Sequence, residues 1–416
     1  MKLAALLLGV EDAAVDPPHG VVGCPSCGRI QELPRSAGHG TVHCLRCDHP
    51  LERTAGRASA AALACALTTF VLLFPANLLP LLRVSILGVV NRSVIASGVA
   101  GIWHQGWPAV AGVVGLEIVV LPFLRFGLLS AVLIAVRAGL RAAWIGPAFR
   151  ISEALDQWAM MDVFLFGCAV GYSRVAPFLP ITIGAGGWCV IAAALLTLVT
   201  RASLERRAIW RAIRPDAAFP PATALACASC DLVVANAQAG TRCPRCRARL
   251  FGHRPLATMR ALAMTLAAFV CYPIAYVYPM EYSERLGVPH GYTIMTGVFK
   301  LLDAGLWFFA IVIFVASVMI PLLKLFVLSW CGLSIHAASS RRLRSKTALT
   351  RLTREIGRWS HIDVFTVAVF LPLMHLPDYL RVVVGRGLPA FLAVVVLTMI
   401  AADLFDSRTL WITDDR

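Results

Sequence analysis

The chain has 416 residues, 58% of them hydrophobic, a mean hydropathy of +0.74 and a formal net charge of +15. That much apolarity, arranged in blocks, excludes a soluble protein with a single core and indicates a polytopic membrane protein. Basic excess beside long apolar runs points first to loops facing anionic lipid, and only second to nucleic acid.

Residues 1–57 read as an N-terminal tail and a first cysteine module. The stretch from Met1 to Val10 imitates a signal peptide, but it is short and no small-residue cleavage site follows, so it reads as an uncleaved tail. The module is Cys24-Pro-Ser-Cys27, sixteen residues, then Cys44-Leu-Arg-Cys47. Two such knuckles set four thiolates at tetrahedral corners, about 2.3 Å from a zinc ion. With no position left open for water, a structural ion is expected. Four thiolates also suit iron in a rubredoxin-like site, the lesser reading.

Residues 58–203 form a first membrane block, with apolar stretches near 60–82, 107–136, 160–180 and 182–201. Lengths near 20 residues suit membrane helices, although the third stretch is short and bounded by proline. Between the first two, "RVSILGVVNRSVIASGV" mixes β-branched residues with turn signals and predicts a hairpin, and "GVAGIWHQG" an amphipathic interfacial turn. Residues 204–256 are a linker and a second module, Cys227-Ala-Ser-Cys230, twelve residues, then Cys243-Pro-Arg-Cys246. A second zinc ion is expected there. His43, His49 and His253 border the modules and read as surface residues. Residues 257–416 form a second block, with stretches near 259–281, 306–333, 362–377 and 383–402, a hairpin segment "RLGVPHGYTIMTGV" and an amphipathic "GVFKLLDAG". The five cysteines lying singly in apolar segments read as small buried hydrophobes.

The halves are copies. Shifted by 199 residues, Cys44, Cys47, Phe70, Pro80, Gly106 and Pro122 fall on Cys243, Cys246, Phe269, Pro279, Gly305 and Pro321. Two residues further, "WAMMDVF" (158–164) meets "WSHIDVF" (359–365), Thr197 meets Thr398 and Trp210 meets Trp411. The expected fold is therefore mainly α: a tandem duplication of a four-cysteine zinc ribbon plus four transmembrane helices, eight in all, with two small β-rich ribbons. Four crossings per half put both ribbons and the C-terminus on one side. That side carries the basic loops 337–358 and 201–260, so it is expected to be cytoplasmic. The basic runs themselves read as solvated, lipid-facing loops.

Lys324 interrupts the apolar run "VASVMIPLLKLFVLSW", where a charge costs at least about 2.5 kcal/mol and marks a functional candidate. It aligns with Arg125 in "LPFLRFG", each three residues after a proline. Asp162 aligns with Asp363, and Thr197 with Thr398. Each half thus holds a cation, a carboxylate and a hydroxyl at matching places, and the opposite charges are expected to approach one another. Such a seam could pass a proton or bind a phosphate headgroup. Glu117, replaced by Ala316 in the other half, is a further candidate. The plainer readings are a snorkelling lysine and helix-start aspartates.

The paired ribbons, "FPANLLP" (74–80) and the repeated W-x-x-x-D-V-F resemble the paraquat-inducible protein A family over nearly the whole chain. The resemblance implies a bacterial inner-membrane component that works beside a periplasm-spanning, mammalian-cell-entry-domain protein and moves lipids between the inner and outer membranes, without saying which lipid; phospholipid is the expected partner. The chain departs from the pattern where "YPIAYVYPM" replaces Asn77 by Tyr276. No P-loop, GxSxG or HExxH motif is present, which argues against an enzyme; if energy is needed, protons are the available source. Two rivals remain open: a membrane electron-transfer protein with rubredoxin-like iron, and a nucleic-acid binder using Arg242, Arg245, Arg247 and Arg249. No nucleic acid is expected, because interleaved aromatics are missing.

Overall fold

A computed structural model of the chain describes residues 20–33, 40–54, 58–86, 89–176, 180–216, 224–252, 254–285, 288–337, 341–373 and 380–412. The expected N-terminal tail and His253 lie outside the described residues. The first ribbon holds β1 (Val21–Gly23), β2 (Ile30–Glu32), β3 (Gly40–His43) and β4 (Pro50–Thr54). The first block follows as α1 (Ala58–Leu78), β5 (Leu82–Ile86), β6 (Val89–Ser93), α2 (Ile95–His104), α3 (Pro108–Gly115), a π-turn over Leu116–Val120 and α4 (Leu121–Arg137). It continues through α5 (Ile145–Leu155), α6 (Met161–Val175), β7 (Ile181–Ile183), α7 (Ala185–Ser203) and α8 (Arg206–Ile213).

The second ribbon holds β8 (Ala224–Ala226) and β9 (Val233–Ala235). The second block repeats the first: α9 (Pro255–Val277), β10 (Glu281–Arg285), β11 (Val288–Tyr292), α10 (Ile294–Asp303), α11 (Trp307–Phe314), a π-turn over Val315–Met319 and α12 (Ile320–His336). Then come α13 (Leu343–Ile356), a 3-10 turn over Gly357–His361, α14 (Ile362–Leu373), β12 (Leu380–Val384), α15 (Gly387–Leu404) and α16 (Thr409–Ile412).

Among the described residues six helices are long and apolar enough to cross a membrane. The third apolar helix of each block is shorter: α6 has 15 residues and α14 has 12. At 1.5 Å per residue they reach about 22 and 18 Å, less than a hydrocarbon core of about 30 Å. These two short helices pack on each other between the blocks. A Cβ on Gly167 would stand 2.9 Å from the Cβ of Phe365, and the Phe164 and Phe365 rings meet edge to face at 5.9 Å.

Both expected hairpins form, and each recruits a third strand. β5 pairs with β6 and with β7, and β10 pairs with β11 and with β12, all antiparallel. The third strand leads straight into the fourth membrane helix, which is pressed against the end of the first. Gly186 N–H donates to the Pro80 carbonyl at 3.0 Å, and Gly387 N–H to that of Pro279 at 2.9 Å. A side chain on Gly184 or Gly385 would strike those same carbonyls at 2.1 and 2.2 Å, so the approach is open only to glycine.

The π-turns explain the prolines of the second membrane helices. A proline removes the donor to the carbonyl four residues back and its ring crowds that carbonyl. In both blocks a wider turn ends just before the proline, at Val120 before Pro122 and at Met319 before Pro321. The Ser317 carbonyl, deprived of its donor by Pro321, accepts the hydroxyl of Tyr276. Tyr276 stands where the first half has Asn77, which instead donates to the Leu73 carbonyl within its own helix at 2.8 Å.

Candidate metal centres and the buried polar seam

The four knuckles share one backbone design. The N–H of the first cysteine donates to a carbonyl five residues on: Cys24 to Arg29, Cys44 to His49, Cys227 to Leu232 and Cys243 to Ala248. The residue after the second cysteine takes a left-handed conformation, with φ of 75° at Gly28, 58° at Asp48, 59° at Asp231 and 58° at Arg247. Three of these are not glycine, so the turn is held at a strain of about 1 kcal/mol or more each.

Within each ribbon the four buried sulfurs lie within 4.8 Å of one another. Across the knuckles Cys24–Cys47 and Cys227–Cys246 stand at 3.5 Å, and Cys27–Cys44 and Cys230–Cys243 at 3.6 Å. Four thiolates about 2.3 Å from one zinc ion are about 3.8 Å apart, so both clusters fit a tetrahedral four-sulfur ion. His49 is not the surface residue expected from sequence. Half-buried, its Nδ1 lies 3.2 Å from Ser26 Oγ and 3.0 Å from Arg351 Nη1.

The ribbons are crossed. The first, at the head of the first block, seats on the second: Arg344 Nε donates to the Arg46 carbonyl at 2.9 Å, Arg46 lies over the Trp411 ring, and Ser407 Oγ donates to the Ser26 carbonyl at 2.8 Å. The second seats on the first block. A Cβ on Gly146 of α5 would meet the Arg245 carbonyl at 2.0 Å, and Arg206 of α8 donates to the Ser229 carbonyl and pairs with Glu153. The two ribbons also touch, through a bridge between Val22 and Leu232. Part of the basic connector is therefore not solvated. Asp216 gathers Arg245 at 2.8 Å and Arg207 and Arg211 at 3.2 Å, and the flanking guanidinium groups outweigh its burial and hold its carboxyl low. Arg245, 4% exposed, cannot serve a nucleic-acid surface.

In the first block, Arg125 is buried and pairs with Asp156, at the end of α5, rather than with Asp162. Arg201 joins the two carboxylates: its Nε is 2.9 Å from Asp156 Oδ1 and its Nη1 2.6 Å from Asp162 Oδ2. Arg358, from the second block, approaches Asp162 at 3.7 Å. Burial works to raise the Asp156 carboxyl, but Arg125 and Arg201 hold it below the usual range, so it stays ionised. Thr197 bonds back to the Ala193 carbonyl of its own helix, at 2.8 Å.

The equivalent place in the second block is built differently. Lys324 is fully buried and its Nζ is 3.2 Å from Thr398 Oγ1, which in turn donates to the Val395 carbonyl at 3.0 Å. Among the described residues no carboxylate lies within ion-pair distance of Lys324. The position of Asp156 is taken by Gly357, where a Cβ would come 3.0 Å from Lys324 Cε, and that of Arg201 by Ala402. Asp363 is buried at the first turn of α14.

Glu117, on the first π-turn, meets the opposite block. His361 Nε2 lies 3.1 Å from its Oε1, and both side chains are at most 1% exposed. Their partners under the repeat are apolar, Ala316 and Met160.

The seam residues named from sequence are thus all buried, but they fall into three arrangements: Arg125 and Asp162 in the arginine–aspartate bridge, Lys324 on Thr398, and Glu117 on His361. Asp156, Arg201, Arg358 and His361 were missed. They stand outside the aligned cation, carboxylate and hydroxyl, at positions where the halves differ, of which only Glu117 drew notice in the sequence. The differences themselves were the available signal.

The chain matches the family described as Paraquat-inducible protein A over residues 60–214 and 258–414. It is 29% identical over 394 residues to the lipophilic envelope-spanning tunnel protein A of Escherichia coli K12, covering 93% of this chain and 90% of the relative. It is 25% identical over 400 residues to the intermembrane transport protein PqiA of the same organism, covering 93% and 94%. A probable intermembrane transport protein of Haemophilus influenzae is 25% identical over 421 residues, covering 96% and 98%. No solved structure matches.

Proposed function

The chain belongs to the paraquat-inducible protein A family, and on that premise we propose that it passes lipid between the inner membrane and a periplasm-spanning tunnel protein carrying mammalian-cell-entry domains. The observation that carries this reading is the match to the lipophilic envelope-spanning tunnel protein A, which takes in 93% of this chain and 90% of the relative. A relationship limited to one ribbon or one block would not extend so far. The chain acts as a multi-pass transport component, not an enzyme. Both ribbons and both termini face the cytoplasm, in keeping with the arginines of the loops on that side.

Zinc is the ion assigned to Cys24, Cys27, Cys44 and Cys47, and to Cys227, Cys230, Cys243 and Cys246. It would neutralise the thiolates and clamp each ribbon onto the opposite block. Arg125 is committed to Asp156, whereas Lys324 has a hydroxyl and no carboxylate beside it among the described residues, so the handling of a phosphate headgroup or a proton is assigned to Lys324 and Thr398. The Arg201–Asp162–Arg358 bridge ties the blocks together as they move.

Mass spectrometry of lipids copurifying with the chain, alone and with its periplasmic partner, is expected to find an enriched phospholipid. Finding none would overturn the reading. Lys324→Ala and Asp162→Ala are expected to abolish envelope function while the protein still inserts and accumulates, and normal function in both would reject the seam. Metal analysis is expected to give two zinc ions per chain without visible absorbance. Red, iron-containing protein would favour electron transfer instead.

A further inference from the structure

A cavity of about 560 Å³ opens where the second ribbon meets α5 and the start of α9. Three arginines line it: Arg150 from α5, Arg249 from the ribbon, and Arg254 immediately before α9. No carboxylate is among the lining residues, and none of the three guanidinium groups makes an ion pair among the described residues. Arg254 lies over the Phe251 ring at 5.9 Å, but no carboxylate stands among the three, and three cations around one space repel one another; an anion placed among them relieves this.

The other half supplies an internal control. Arg150 corresponds to Arg351, whose Nη1 lies 3.0 Å from His49 Nδ1. The residue corresponding to His49 is Ala248, which lines the cavity. In one half an imidazole engages the arginine; in the other a methyl group leaves it reaching into open space.

The remaining walls say what kind of anion. Ile151, Leu155 and Phe251 make part of the lining apolar, and Ile151 is 41% exposed. The bilayer-crossing helix begins at Leu256, two residues beyond Arg254, and Leu256 and Met259 are 61% and 55% exposed. Cations and apolar surface thus meet where a headgroup gives way to acyl chains. We infer that this cavity binds the phosphate headgroup of an anionic phospholipid, with its acyl chains running along α9. The inference needs only that α9 crosses a bilayer, and it stands or falls separately from the transport reading.

The test is native mass spectrometry of the full chain in detergent, titrated with phosphatidylglycerol or with phosphatidylcholine of the same acyl composition. The wild type is expected to prefer phosphatidylglycerol. At about fivefold per arginine, the triple variant Arg150→Gln, Arg249→Gln, Arg254→Gln loses on the order of a hundredfold in affinity. Ala248→His removes no cation but sets an imidazole where the other half has one, and is expected to lose about fivefold. Arg344→Gln, at the opposite ribbon, leaves the affinity unchanged. Undiminished phosphatidylglycerol binding in the triple variant, or equal affinity for both lipids in the wild type, would overturn the site. Displacement by millimolar inorganic phosphate would mark a free-phosphate site and overturn the lipid assignment. If the triple variant loses its metal, Ala248→His decides.

Discussion

Arg125 and Lys324 occupy one position in two copies of the same helix, yet their surroundings are opposite. Arg125 sits against Asp156, which Arg201 also holds; Lys324 sits over Gly357 and, among the described residues, has a threonine hydroxyl as its polar partner. An ion pair offsets most of the desolvation of both charges, whereas a lone buried ammonium keeps its whole penalty. The two copies of one position thus hold one cation in a brace and the other without a counter-charge among the described residues. Likewise, Glu117 and His361 stand against each other while their counterparts are Ala316 and Met160.

The sharpest break concerns the crossed ribbons. Cys246→Ser is expected to drop bound metal from two ions to one and to loosen α5 and α8 of the first block, although the mutation lies in the second repeat. Structural zinc sites are worth about 10–16 kcal/mol, so this is the largest effect, read by metal content and limited proteolysis. Loosening of the second block alone would contradict the crossing.

Next is the contrast between the cations. Arg125→Met should destabilise by about 2–3 kcal/mol, below the 3–5 of a fully buried pair because Asp156 is partly exposed and keeps Arg201. Lys324→Met should be neutral or stabilising in the same thermal unfolding assay, yet lose function. Equal destabilisation would erase the distinction between the braced and the unbraced cation.

The acid–imidazole pair gives a smaller effect. Glu117→Ala or His361→Met alone leaves one buried polar group without its partner and should cost about 1–3 kcal/mol. The double variant copies the apolar solution of the other half and should return to within about 1 kcal/mol of wild type. Additive losses would mean that the two groups do not interact. Smallest is Gly357→Asp, which rebuilds Asp156 beside Lys324. Its backbone is helical, with φ of −58°, and the new side chain meets only the flexible end of the lysine, so stability should change by less than about 1 kcal/mol while transport falls. Retained transport would show that Lys324 acts without being unpaired.

Much of this was legible in the chain. Cysteine spacing located both four-sulfur clusters, because thiolate geometry is local and the four cysteines of each lie within a few dozen residues. Hydropathy located the helices and the weakness of the third in each half, and the repeat pointed to Arg125, Lys324 and the paired aspartates and threonines, but not to Asp156, Arg201, Arg358 or His361, which have no like counterpart in the other copy. The register of the third strand was not legible. β7 is only three residues long, and β12, Leu-Arg-Val-Val-Val, does not alternate apolar with polar; each lies just ahead of the fourth helix and pairs with a strand far back in the chain.

Residue type and near spacing were enough to set the membrane blocks, the sulfur clusters, the proline-interrupted helices and the duplicated plan. Long-range packing settled the rest: which ribbon covers which block, that Arg125 chooses Asp156 over Asp162, and that His361 reaches Glu117 across the interface. Those choices rest on contacts between segments tens to hundreds of residues apart. Two equivalent copies offer equally plausible partners within and between halves, and packing alone breaks the tie.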